Sequence, residues 1–165
     1  MRIAVKDSSI LIDLAEADLL GLWFQLKIET HATDFVLHEV SRGQQWAQIS
    51  PFVDAGLIQH HATPSAEMSA VVAFSQENGI SVSDASGVLP AQRLQAILLT
   101  GDRRMRRTAE SAQIEARGLL WIFDLLVERA VLPRHAAAER LARLCSGGSR
   151  LPSAECESRL KDWRR

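Results

Sequence analysis

The sequence predicts an α/β fold: three layers, α/β/α, around a central and mostly parallel sheet, with extra helices at the C-terminal end. Three observations carry this. Short apolar runs of strand length alternate with stretches of helical periodicity, the order expected of parallel strands joined by crossover helices. Residues 96–100, AILLT, are wholly apolar up to Thr100 and are closed by Gly101-Asp102, as a strand buried on both faces should be. Acidic residues stand where such elements begin or end, and open α/β sheets build their sites at the carboxyl edge of the strands.

The elements follow in order. Residues 2–6 form a short β-type run that Asp7 ends, and Ile10, Leu11 and Leu14 then recur at helical spacing. Residues 19–26 are apolar and helical, and residues 28–33 are a second strand. Thr33 or Asp34 caps a helix over 35–42, in which Val36 and Val40 share a face and Glu39 stands at its edge. Residues 44–55 are helical up to Gly56, and 57–61 are a strand. Its His60–His61 pair cannot easily share one ion, because adjacent strand residues point to opposite faces.

Pro64 opens a helix over 65–77 that Asn78-Gly79 ends. Ser83 and Asp84 are the expected N-cap of the next helix. Gly87 and Pro90 interrupt it, so a kink or a late start is expected there. After the 96–100 strand come a helix over 103–111 and a last strand over 114–117. Residues 119–127 carry a clear apolar stripe at 3.6-residue spacing, with Asp124 off the stripe, a surface rather than a catalytic residue. The stripe and the helices after Pro133 offer more apolar surface than one core needs. Residues 1–132 form the main domain, and 133–165 a helical extension of it.

Composition excludes several classes. At 165 residues the chain is one domain, and no apolar run approaches the roughly 20 residues of a membrane helix. The first residues run straight into Asp7, unlike a signal peptide, and Cys145 and Cys156 make no disulfide framework. A cytoplasmic protein with reduced thiols is expected. The net charge of −1 hides an asymmetry: residues 1–80 hold 10 acidic and 4 basic side chains, whereas 81–165 hold 10 acidic and 15 basic. Either the arginine-rich helices are simply solvated, or an acidic site is flanked by a basic face for an anionic polymer.

Four carboxylates fall at element ends or edges: Asp7, Glu39, Asp84 and Asp102. Such a cluster is unfavourable for folding but suits a hard cation, Mg2+ or Mn2+, which prefers oxygen ligands. A phosphatase with a strand-end Asp nucleophile fits less well. That chemistry usually wants a second Asp two residues on, where Ser9 stands, and a site lysine, of which the chain has only Lys6, Lys27 and Lys161 as candidates.

VKDSSILIDL, FVLHEV and SVSDASGVLPAQRLQAILLTGDRRM, in that order, resemble the PIN domain family, and more narrowly the VapC-type ribonuclease toxins. The resemblance covers roughly residues 2–130. It matches Asp7, Glu39, Asp84 and Asp102 to the family's four acids, and Ser8 and Thr100 to hydroxyl positions lining its site. It implies a PIN-like fold and a metal-dependent endoribonuclease that cleaves RNA phosphodiesters through a metal-activated water. It also implies a homodimer and a cognate antitoxin protein as partner. Arg103 and Arg104, directly after Asp102, are candidate RNA contacts. The alternative is a catalytically silent PIN-like module that binds RNA or protein, since a fold does not fix a function.

Overall fold

The structure, a computed structural model, describes residues 3–165; Arg2, predicted to start the first strand, lies outside the described residues. Five parallel strands form one sheet. They are β1 (Ile3–Lys6), β2 (Glu29–Thr33), β3 (Ile58–His61), β4 (Ile97–Leu99) and β5 (Ala116–Arg117), in the order β3-β2-β1-β4-β5. The chain winds outward from β1 to β3, then returns to the other side of β1 for β4 and β5. The reversal falls between β1 and β4, which pair with Val5 opposite Leu98.

Before β4 lie six helices: α1 (Ser8–Glu16), α2 (Leu20–Gln25), α3 (Asp34–Ser41), α4 (Trp46–Asp54), α5 (Ser65–Asn78) and α6 (Val82–Arg93). After it come α7 (Arg103–Ser111), α8 (Leu119–Glu128), α9 (Arg134–Ser146) and α10 (Ser153–Trp163). Strand alternation sorts the helices into two layers. Ile97 and Leu99 join a core with Ile10, Leu14, Trp23 and Phe123, whereas Leu98 joins Val88, Ala91, Met105 and Ala109 from α6 and α7. The predicted three-layer class is thus the observed one. Among the described residues no helix is long and apolar enough to cross a membrane.

Three details differ from the sequence expectation. The cap of α6 is Ser81, whose hydroxyl accepts from the Asp84 amide at 3.0 Å, so Asp84 stands inside the first turn. That helix runs unbroken through Gly87 and Pro90. Proline removes the hydrogen bond to the Ser86 carbonyl, but Ala85, Ser86, Gly87, Val88, Pro90 and Ala91 are all buried, and packing across β1, β2 and β4 outweighs the loss. The α8 stripe is consumed internally: Ile122, Phe123 and Leu126 are covered with Ala137, Leu141 and Cys156 of the last two helices. Among the described residues no large apolar side chain of α8 is left exposed.

Asp124 stays at the surface as expected, 41 % of its side chain exposed, but it is engaged there by α10. Arg159 grips it with two hydrogen bonds, Nε to Oδ1 at 2.8 Å and Nη2 to Oδ2 at 2.6 Å. Arg140 of α9 likewise reaches the carbonyls of Ala17 and Asp18 beyond α1. The extension is bound to the main body by charge-assisted bonds over a shared core. Cys145 and Cys156 are free thiols within it.

Candidate functional site at the sheet reversal

Where strand order reverses, the loops leaving neighbouring strands part to opposite faces and leave a crevice at the carboxyl edge. Asp7 leaves β1 there and Thr100 leaves β4. The Asp7 amide donates to the Leu99 carbonyl at 3.1 Å, so the two strand ends are locked together. The Asp7 side chain caps α1: its Oδ1 accepts from the Ile10 amide and from the Ser9 hydroxyl, both at 2.9 Å. Ser9 therefore holds the carboxylate, while Ser8 is half-buried beside it. Gly101 lies close by, since a Cβ there would meet the Ser9 hydroxyl oxygen at 3.3 Å.

Asp7 is only 7 % exposed. Burial pushes its carboxyl above the usual range, against hydrogen bonds from Thr100, Ile10 and Ser9 that favour the charged form; the negative charge of Asp84 pushes it further up. The structure thus brings Asp7 and Asp84 into one electrostatic neighbourhood. Asp84 is half-buried in the first turn of α6. Glu39 is exposed on α3 and is linked to α6 by the Ser83 hydroxyl, which donates to its Oε2 at 3.4 Å.

Asp102 is exposed and caps α7, its Oδ1 accepting from the amides of Arg104 at 2.6 Å and Met105 at 3.0 Å. Its own amide donates to the fully buried Thr100 hydroxyl at 3.1 Å. Three of the site residues, Asp7, Thr100 and Asp102, are in this way tied into one strand-edge network.

The donor set is all oxygen, and a buried carboxylate beside a second one is what a hard cation neutralises. Asp7 and Asp84 fit such an ion. Among the described residues no three His, Cys, Asp or Glu side chains lie close enough together to hold one. Glu39 and Asp102 are therefore not gathered with Asp7 and Asp84 into a single cage. A Mg2+ ion commonly takes one or two carboxylates and keeps several waters.

Sequence reasoning passed over Asp13. One and a half helical turns beyond Ser8, its carboxyl is pushed up to about 6 by burial, by Glu16 and by Asp7. Its position i+6 from Asp7 was the available signal. Of the arginines after Asp102, Arg104 is partly committed: its guanidinium donates to the Gly79 carbonyl at 2.6 Å and so joins α7 to the end of α5. Arg106 lies against Gly118. Arg103 and Arg107 are exposed.

The family model DUF3368, a PIN domain, matches residues 3–165. None of the curated proteins matches the chain. Eighteen chains of solved structures do. One is PAE2754 from Pyrobaculum aerophilum, with a TM-score of 0.56 and 20% identity; the match covers 78% of this chain and 97% of that one. At that identity the likeness is one of fold.

Proposed function

The chain belongs to the PIN domain family, whose members are generally nucleases dependent on a divalent metal, and from that premise we propose that it is a Mg2+- or Mn2+-dependent endoribonuclease, the toxin of a toxin–antitoxin pair. The observation that supports this most is Asp7. Its carboxylate is buried at the sheet reversal and held in one rotamer by the Ile10 amide and the Ser9 hydroxyl. It stands beside Asp84 and no cation-bearing side chain is bonded to it among the described residues. A fold carries such a cost where a site requires it.

Asp7 and Asp84 would hold the ion, with Glu39 and Asp102 at the rim. A bound Mg2+ or Mn2+ supplies an activated water and a counter-charge for the phosphodiester's leaving oxygen. Ser8 is half-buried beside Asp7, and the buried Thr100 fixes the turn that presents Asp102. Arg103, exposed at the start of α7, would meet an RNA phosphate. The homodimer and antitoxin rest on the resemblance alone, because the α8 stripe is already covered.

The test is cleavage of RNA by chelator-treated protein, with and without added Mn2+, beside calorimetric titration of the metal. Metal-dependent cleavage and binding are expected. Binding without cleavage favours the second reading, a silent RNA- or protein-binding module, for which the lack of a three-acid group among the described residues speaks. No metal binding at millimolar concentration removes the nuclease. For the toxin, expression alone should arrest growth, and a small frame encoded just upstream should relieve it.

A further inference from the structure

A second polar cluster lies away from the carboxylates, where β2 and β3 pair under α6. Residues matched across a parallel ladder share a face, as do residues two apart along a strand. Thr33 is matched to His61, so His31, Thr33 and His61 point to the same side. That side faces α6, because the Thr33 and Ser86 hydroxyls are 2.8 Å apart. The rings of His31 and His61 stand with centroids 4.7 Å apart, inclined at 44°.

His31 is 3 % exposed. Its Nε2 is 2.8 Å from the Glu29 carboxylate, which must accept, so the proton sits on Nε2. Nδ1 is then a bare lone pair. It is buried and has no hydrogen-bond partner among the described residues. A doubly protonated ring would do no better, since it would bury an N–H with no acceptor. An orphaned buried nitrogen has lost its hydration with nothing in return.

A carboxylate on one ring nitrogen and an empty lone pair on the other is the arrangement by which proteins orient a metal-binding histidine. His61 adds a second imidazole. Two imidazoles sharing one ion at about 2.0–2.1 Å place their centroids about 5 Å apart, close to the spacing seen. Burial, then the neighbouring His31, hold His61 below the usual histidine range, which favours the neutral ligand form. His61 is half-buried and lines a cleft with Glu67, Ser86 and Arg93, the last paired with Glu67 at 2.8 Å, so one of the two rings is reachable from solvent.

We infer that His31 and His61 are the two protein ligands of a site for a borderline divalent cation of the Zn2+ type, chemically distinct from the carboxylate crevice. Imidazole nitrogen selects Zn2+ over Mg2+ or Mn2+, whereas the crevice has the opposite preference. Water would complete the coordination, so the affinity is modest. His60 is exposed on the other face of β3 and takes no part.

The experiment is calorimetric titration of Zn2+ into the full chain carrying Asp7→Asn and Asp84→Asn, which disables the crevice. One equivalent should bind, and Mg2+ at the same concentration should give no heat. Adding His61→Gln, or separately His31→Gln, should weaken binding by about tenfold or more, and His60→Gln should not. Ring-nitrogen NMR should show the His31 Nδ1 resonance moving with Zn2+, a readout that a folding defect does not imitate. No Zn2+ binding at millimolar concentration overturns the inference. So does binding that survives either His31→Gln or His61→Gln.

Discussion

Asp7 is buried at the sheet edge and Asp124 lies half-covered on α8, and the chain treats the two acids oppositely. Asp124 meets the guanidinium of Arg159, in a fork with both oxygens engaged. Asp7 is more deeply buried, yet its partners are an amide and hydroxyls, and its nearest charged influence is another acid. The paired acid closes a helix onto the fold. The unpaired one costs stability, a carboxyl held largely out of water with no cation bonded to it among the described residues. The contrast separates the tether from the site without reference to any relative.

Asp7→Asn should break this comparison with the largest effect. Asparagine keeps the capping oxygen and caps about as well as aspartate, so a mere cap would change little. As a metal ligand, Asp7 cannot lose its charge without RNA cleavage in Mn2+ falling by orders of magnitude. The metal-free variant should melt no lower than the parent, since a raised carboxyl has been removed. Full activity in Asp7→Asn would sink the assignment.

The reverse expectation holds for Asp124→Ala. It leaves Arg159 without its fork, though not without Glu155, and because 41 % of the Asp124 side chain is exposed it should cost about 1 kcal/mol of stability, with no change in RNA cleavage per folded molecule. Urea unfolding and hydrogen exchange in α10 measure it. An exchange pattern unchanged in α10 would mean that the shared core alone holds the extension.

Asp13 lies between the two extremes. Its folded value of about 6 stands above the ordinary 3.8, so the folded state binds the extra proton. The contribution of this group to stability is therefore greatest below about pH 4, is lost as pH rises to about 6, and stays lost above. Asp13→Asn should stabilise the metal-free protein at pH 7 by about 1 kcal/mol, after a discount for its partial solvent screening, and should make no difference at pH 4. Equal urea midpoints for parent and variant at pH 7 would show that Asp13 is better solvated than its position implies.

Much of this was legible before any coordinates. The order of strands and helices followed from periodicity and turn residues; Asp7, Asp84 and Asp102 were picked out from where elements end, and Ser8 and Thr100 from the resemblance alone. What could not be read is pairing across sequence distance. Arg159 is 35 residues from Asp124, and nothing local announces that they meet. Whether His31 is orphaned depends on β3 and α6. Near Asp84 the failure was local competition: Ser81 and Ser83 can both cap, and the position of the buried small face of α6 decides for Ser81. The same face carries Pro90 through the helix, a tertiary effect that propensity ranks do not contain.

The arginines sharpen the comparison last and most gently. Arg140 and Arg159 are committed to the extension, Arg104 is partly committed to the Gly79 carbonyl, and Arg103 is exposed beside Asp102. If the crevice takes RNA, Arg103 is free to meet a phosphate at no cost in folding, whereas Arg104 must first give up a bond. Arg103→Ala should therefore weaken RNA binding a few-fold and flatten its log–log salt dependence by about 0.7, the value per phosphate on a single strand. Arg104→Ala should act mainly on stability, by about 1 kcal/mol for a hydrogen bond from a charged group at the surface. Binding isotherms at several salt concentrations, beside melting curves, distinguish the two. A salt slope that falls for Arg104→Ala and not for Arg103→Ala would reverse the assignment and place the phosphate on the α5 side of the crevice.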